Sequence, residues 1–165
     1  MKWIRTFPAK IPDNRNYVVD NIPVVYMDRN YLVVLENLID DTVIVEWDIA
    51  FSLEDIQRFE KHIADSPDRI HAAPYKLYNI GTGKPEWAHR KFLRPPDFSQ
   101  FVSTGEPESE FFGFGMTYLP LAIVQQYLET KPQFTDDCVF AEWHRKVIGT
   151  KVPIHWDVHP VHLHY

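Results

Sequence analysis

One cysteine, Cys138, occurs among the 165 residues, which excludes an intrachain disulfide and points to a reducing compartment. It sits in the apolar stretch Cys138-Val139-Phe140 and reads as packing rather than as a nucleophile. Glycine is scarce, with six residues against thirteen prolines, so the connections are expected to be stiff and irregular. No apolar run approaches the ~20 residues that a membrane span needs. The start, Met1-Lys2-Trp3-Ile4-Arg5, has no apolar segment behind its charges, so no signal peptide is expected and the location should be cytoplasmic. Cations are outnumbered, 17 Lys and Arg against 23 Asp and Glu, for a formal charge of −6. That balance argues against binding nucleic acid through its phosphates, but it is compatible with a nucleotide held through a metal ion.

What is present fits one globular domain spanning 1–165: 45% of residues are apolar and 24% charged. Aromatics are abundant, with eleven Phe, eight Tyr and five Trp, and such rings build cores or stack on sugars and bases. Residues 1–16 are polar and broken by proline, and read as an N-terminal arm. Ile22 to Met27 reads as a strand, Tyr31 to Ile39 as a short helix, and Thr42 to Ile49 as a β-branched strand buried on both faces. Ser52 and Asp55 make a capping-box start for a helix running to about Ala64. Arg69 to Tyr75 is the next strand, and this alternation predicts right-handed crossovers in a mainly parallel α/β sheet. Residues 79–110 read as a long loop or insertion. Phe111 to Pro120 is an aromatic strand, followed by helices from Pro120 to Leu128 and from Thr135 through Val147, with Gly149 as the terminating residue.

Five groups of residues have chemical potential. Glu46 and Asp48 share a face of an extended strand and lie at its C-terminal end, where open α/β sheets bind ligands. Two adjacent carboxylates repel unless a cation lies between them, so a hard divalent ion competes with a solvated strand end as the explanation. Half of the eight histidines, His155, His159, His162 and His164, fall near the C-terminus, as ligands for Mn²⁺ or another transition metal, as a zinc site of histidines alone, for which no ordered Cys/His spacing appears, or as a surface tail. Asp136 and Asp137 open a helix, either as caps or as a general base. Gly113 and Gly115 in Gly113-Phe114-Gly115-Met116-Thr117-Tyr118 allow close backbone approach or mark a bulged core strand. Trp87, beside His89, Arg90 and Lys91, is a stacking candidate in a solvated loop.

Taken in order, these features resemble the nucleotide-sugar glycosyltransferases of the GT-A fold. Val43-Ile44-Val45-Glu46-Trp47-Asp48-Ile49 is similar to the family's strand with an acid-x-acid end, with Glu in place of the usual first Asp. Phe112 to Pro120 looks like its aromatic strand leading into a helix near the acceptor, and Asp136-Asp137 with Arg145 and Gly149 like its acidic helix start. The chain also looks like small glycosyltransferase-like proteins of bacteriophages and actinobacteria, which share a Glu-x-Asp strand and a His-rich end; a phage protein would work in the host cytoplasm.

The resemblance implies a Rossmann-like, GT-A-type sheet with a shortened N-terminal half, since few residues precede Glu46. It implies metal-dependent, inverting transfer of a sugar from a nucleotide-sugar donor to an acceptor hydroxyl. Glu46, Asp48 and His162 or His164 would hold Mn²⁺ or Mg²⁺, and Asp137, or else Asp136, would be the base. Asp28, Arg29 and Trp47 would meet the donor; Tyr118, Trp87 and Trp143 would stack on sugar or acceptor. The acceptor is open (a modified DNA base, protein, lipid or glycan), and a homodimer partner could complete the donor site. The rival readings are a non-catalytic sugar- or nucleotide-binding relative, a metal-dependent hydrolase or nuclease, and a phage structural protein.

Overall fold

The computed structural model describes residues 1–11, 13–79, 83–87 and 106–163. His164, the stretch Ala88 to Lys91 and most of segment 79–110 lie outside the described residues. The elements run β1 (Lys2–Pro8), β2 (Val24–Met27), α1 (Leu32–Leu35), β3 (Thr42–Glu46), β4 (Ile49–Ala50), α2 (Leu53–Asp65), β5 (His71–Ala72), β6 (Lys76–Asn79) and β7 (Lys84–Trp87). They continue with β8 (Glu108–Ser109), β9 (Met116–Leu119), α3 (Leu121–Leu128), α4 (Asp137–Val147), β10 (Val152–Pro153) and β11 (Val161–His162).

The architecture is mixed α/β. Its main sheet has five strands in the order β2-β1-β3-β9-β5. β1 pairs in parallel with both β2 and β3, whereas β9 is antiparallel to β3 and to β5. The sheet is therefore mixed, with β9 reversed, rather than built only from parallel crossovers. β3 alternates its buried side chains between two cores, as a central strand must. Ile44 packs with Leu35, Phe114, Leu119, Val124 and Phe140 on the side of α1, α3 and α4. Val43 and Val45 pack with Phe59, Ile63, Met116 and Tyr118 on the side of α2.

Three expectations are corrected. Residues 2–8 are not part of an arm: they form β1, the strand between β2 and β3. A buried arginine concealed it. Arg5 is 1% exposed and satisfies its charge on Asp20 (Nη2–Oδ2 2.6 Å) and on the carbonyls of Glu46 (2.8 Å) and Ile49 (2.9 Å). The strand expected from Thr42 to Ile49 stops at Glu46, and Trp47-Asp48 is a turn before β4. Within the segment read as loop, β7 pairs antiparallel with β6, and β8 with β10.

Two helix starts follow the sequence closely. Ser52 accepts from the Asp55 backbone N–H (3.1 Å) and the Asp55 carboxylate accepts from the Ser52 N–H (2.8 Å), a complete capping box on α2. Asp136 caps α4 by accepting from the Val139 N–H at 2.7 Å. Among the described residues no helix is long and apolar enough to cross a membrane.

Candidate functional site

The parallel register Thr6↔Glu46 and Pro8↔Met27 places the C-terminal ends of β1, β2 and β3 on one edge of the sheet. Because β9 is reversed, its N-terminal approach meets the same edge, and the Glu46 N–H donates to the Gly115 carbonyl at 3.0 Å. The acidic turn is held from behind by Arg5, whose Nη1 binds the carbonyls on either side of Trp47-Asp48. The tail is held by pairing: β11 runs antiparallel to β4 with His162 opposite Ile49, and the Leu163 N–H donates to the Asp48 carbonyl at 2.8 Å.

This pairing brings His162 Nε2 to 3.0 Å from Asp48 Oδ2, with both side chains under a tenth exposed. Glu46 lies beside them. Its carboxyl is pushed up to about 8, first by burial, then by the negative charges of Asp137 and Asp48. Tyr31 donates its hydroxyl to Glu46 Oε1 at 3.1 Å and contacts Thr6 Oγ1 at 3.4 Å. Burial, and after it Glu46, holds the Tyr31 phenol well above its ordinary range. Asp137 completes the group: its Oδ1 accepts from the Cys138 N–H at 2.8 Å, while Oδ2 faces Gly113.

The glycines have a different purpose from ligand approach. A Cβ on Gly113 would lie 2.0 Å from the Tyr75 hydroxyl and 3.1 Å from Asp137 Oδ2, and one on Gly115 would lie 2.5 Å from the Tyr75 ring. The close approach is therefore that of Tyr75, whose ring also lies 6.1 Å from the His162 ring.

Does the donor set suit a metal? Two ligands at right angles on an octahedral ion with bonds near 2.1 Å sit about 3 Å apart, the Asp48–His162 separation. Carboxylates plus one imidazole suit Mn²⁺ well, and Mg²⁺ less well because of the nitrogen. An ion there would also relieve the repulsion that keeps a proton on Glu46. The residues fit.

Two surfaces flank the acidic group. On one side Phe7, Tyr17, Tyr26 and Trp47 form an aromatic patch, with Phe7 centroids 5.9, 6.0 and 6.5 Å from the other three rings, and Tyr26 66% exposed. Asp28 and Arg29 are exposed just after β2 on the same edge. On the other side a cavity of about 360 Å³ is lined by His162, Pro160, Lys76, Trp87 and Trp156. Trp87 packs edge-on against Trp156 at 5.0 Å, and Lys76 Nζ lies 4.9 Å above the Trp87 ring.

The structure thus joins Asp48 to His162 and sets Glu46 within the electrostatic reach of Asp48 and Asp137. Others fall elsewhere. Tyr118 is 1% exposed and donates to the Pro67 carbonyl at 2.7 Å, so it is a core residue with no face for a sugar. Trp143 packs against Tyr127 and Phe140 in the other core. Asp136 is committed to its cap, which leaves Asp137 as the helix-start carboxylate facing the cluster. His155 joins a separate group with His62, His71 and Asp157. Sequence reasoning missed Arg5, Tyr31 and Tyr75; in β1 polar residues fall on both faces, so no alternation marked the strand that carries Arg5.

No family model matches the chain, and no curated protein matches it. Among solved structures it is similar to A197 from STIV, with a TM-score of 0.62 and 13% identity over 97% of this chain and 84% of that one. Likeness at that identity concerns the fold alone.

Proposed function

We propose that the chain is a metal-dependent glycosyltransferase of GT-A type, moving a sugar from a nucleotide-sugar to an acceptor hydroxyl with inversion. The observation that carries this is the Asp48–His162 contact on the sheet edge, with Glu46 close enough to feel the charges of Asp48 and Asp137. Each stands in the chain order of the family it resembles: acidic strand end, glycine-bearing approach to β9 and α3, acidic start of α4, histidine at the end.

Glu46, Asp48 and His162 would hold Mn²⁺ or Mg²⁺, and the ion would neutralise charge developing on the leaving diphosphate. Asp137 Oδ2, on the first residue of α4, accepts the proton of the acceptor hydroxyl. Trp47 and Tyr26 stack on the nucleobase, backed by the buried Phe7 ring, with Asp28 and Arg29 in reach of the ribose. The Trp87–Trp156 cavity beside His162 takes the acceptor or the transferred sugar.

Thermal shift with a panel of UDP- and GDP-sugars, with and without Mn²⁺, tests donor binding. Stabilisation that requires Mn²⁺ and is lost in Asp48→Asn supports the reading; stabilisation that survives Asp48→Asn overturns the metal role. In a nucleotide-release assay Asp137→Asn should lower turnover at least ~100-fold while sparing donor binding. A second reading, a nucleotide- or sugar-binding module without turnover, is favoured by one observation. β1 and β2 are parallel neighbours, yet among the described residues between them there is no helix to build a donor pocket. Mn²⁺-dependent donor binding with no release in the parent chain selects that reading.

A further inference from the structure

We propose that His62, His155 and Asp157 form a second metal site, separate from the acidic cluster and suited to Zn²⁺ or Co²⁺. One ligand atom from each lies within 4.8 Å of the others. His62 belongs to α2, and His155 and Asp157 to the turn between β10 and β11, so the group shares no residue with Glu46, Asp48, Asp137 and His162.

The hydrogen bonds fix which nitrogen is free. His71 Nε2 lies 2.8 Å from the Ser66 carbonyl, which can only accept, so His71 carries its proton there. Neutral His71 then presents Nδ1 as an acceptor, and His155 Nε2 donates to it across 2.7 Å. His155 in turn keeps its lone pair on Nδ1. This is the outer-shell arrangement that orients metal-ligating histidines: the ring N–H is tied down and the other nitrogen is left basic.

Against it lies His62, whose ring stacks on His155 with centroids 4.0 Å apart and planes 13° apart. His62 Nε2 donates to the Asp157 carboxylate at 2.8 and 2.9 Å. A metal ion binding there takes Nε2 and a carboxylate oxygen as ligands; the Nε2 proton of His62 passes through solvent to its Nδ1, and the His62 ring turns out of the stack so that its lone pair and that of His155 meet at the ion. Arg58 steadies the loop by donating to the Asp157 carbonyl at 2.8 Å. Two imidazoles and one carboxylate favour borderline ions over Mg²⁺ or Ca²⁺, and three protein ligands leave a fourth position for water or a small anion. His71 is a positioning residue, acting through His155.

The test uses the untagged full chain, freed of metal by chelation. Zn²⁺ calorimetry and Co²⁺ absorption titrations are run on the parent chain, His62→Gln, Asp157→Asn and Asp48→Asn. His62 and Asp157 are partly exposed, so their variants should fold. The expected result is a four-coordinate Co²⁺ spectrum and Zn²⁺ affinity reduced at least ~10-fold by His62→Gln and by Asp157→Asn, but unchanged by Asp48→Asn. Absence of Zn²⁺ binding in the parent overturns the proposal. So does binding that His62→Gln and Asp157→Asn leave intact or that Asp48→Asn alone removes.

Discussion

At the scale of single residues, Glu46 carries the clearest measurable consequence. Its folded carboxyl is raised to about 8 from an ordinary 4.5, chiefly by burial and then by Asp137 and Asp48. Between those values the folded chain binds the proton and the unfolded chain does not, so stability falls as pH rises through this window. The slope approaches 1.4 kcal/mol per pH unit at most, with less expected where water screens the group. The histidines His71, His144 and His155 are lowered by burial and add stability as pH rises towards their unfolded range, so the Glu46 contribution is read as a difference: between pH 5 and pH 8 the parent chain should lose stability relative to Glu46→Gln, and Mn²⁺ should reverse that difference. A parent and a Glu46→Gln chain with parallel pH profiles would remove the charge-crowding argument. Gly113→Ala places a methyl 2.0 Å from the Tyr75 hydroxyl, and Tyr75 is 3% exposed, so the ring must move. Overpacking of that kind costs about 1–3 kcal/mol, readable as a lower denaturant midpoint. Residues whose chemistry is local were legible from the sequence: Glu46 and Asp48 by their spacing after an apolar run, Asp137 by its place at a helix start. Tyr31 and Tyr75 were not, because each reaches the site through tertiary packing that no local pattern encodes.

At the scale of elements, the site depends on two ties that the sequence showed unequally. The capping box of α2 was readable from Ser52 and Asp55, but its second use was not: Asp55 Oδ1 also accepts from the His159 N–H at 2.9 Å, joining the helix start to the tail that carries His162. Ser52→Ala removes a cap alone and should cost about 1 kcal/mol. Asp55→Ala removes both and should cost more, and unlike Ser52→Ala it should weaken Mn²⁺ binding. Equal effects on Mn²⁺ affinity would show that the tie is irrelevant to the site. β1 was the element most fully missed. Its periodicity is broken by Lys2, Arg5 and Thr6, which read as solvent-facing, and a buried arginine is rare enough that pattern reasoning discounts it. Arg5→Met should strand two carbonyls and Asp20, with a cost near 3 kcal/mol and a looser acidic turn.

At the scale of the molecule, the sequence carried the class of architecture but not the direction of β9. Strands alternating with helices predict parallel crossovers, and β2, β3 and β5, the strands so read, run the same way. β9 follows a long segment whose length leaves its direction free, and it enters reversed between β3 and β5. That reversal lets the two glycines and the acidic turn meet at one edge. Among the described residues the chain beyond Pro160 gives the five-stranded sheet no hydrogen bond: β11 pairs with the two-residue β4, and the tie of the C-terminal segment to the sheet, from the His155 N–H to the Ala72 carbonyl at 3.0 Å, comes before it. Fold and metal site should therefore be separable. A chain ending at Pro160 loses β11 and His162 but keeps Val158, which packs with Phe59 and Val45 in the core against α2. Its far-UV circular dichroism should match that of the full chain, and it should unfold cooperatively with a modest drop in midpoint. Its stabilisation by Mn²⁺ should nevertheless fall at least ~10-fold in apparent affinity, because one ligand and the backbone tie to Asp48 are gone together. Comparing it with His162→Gln separates the two contributions: equal losses assign the effect to the imidazole, and a larger loss in the shortened chain assigns the difference to the Leu163–Asp48 tie. Full Mn²⁺ stabilisation in the shortened chain would place the ion elsewhere and remove the tail from the mechanism.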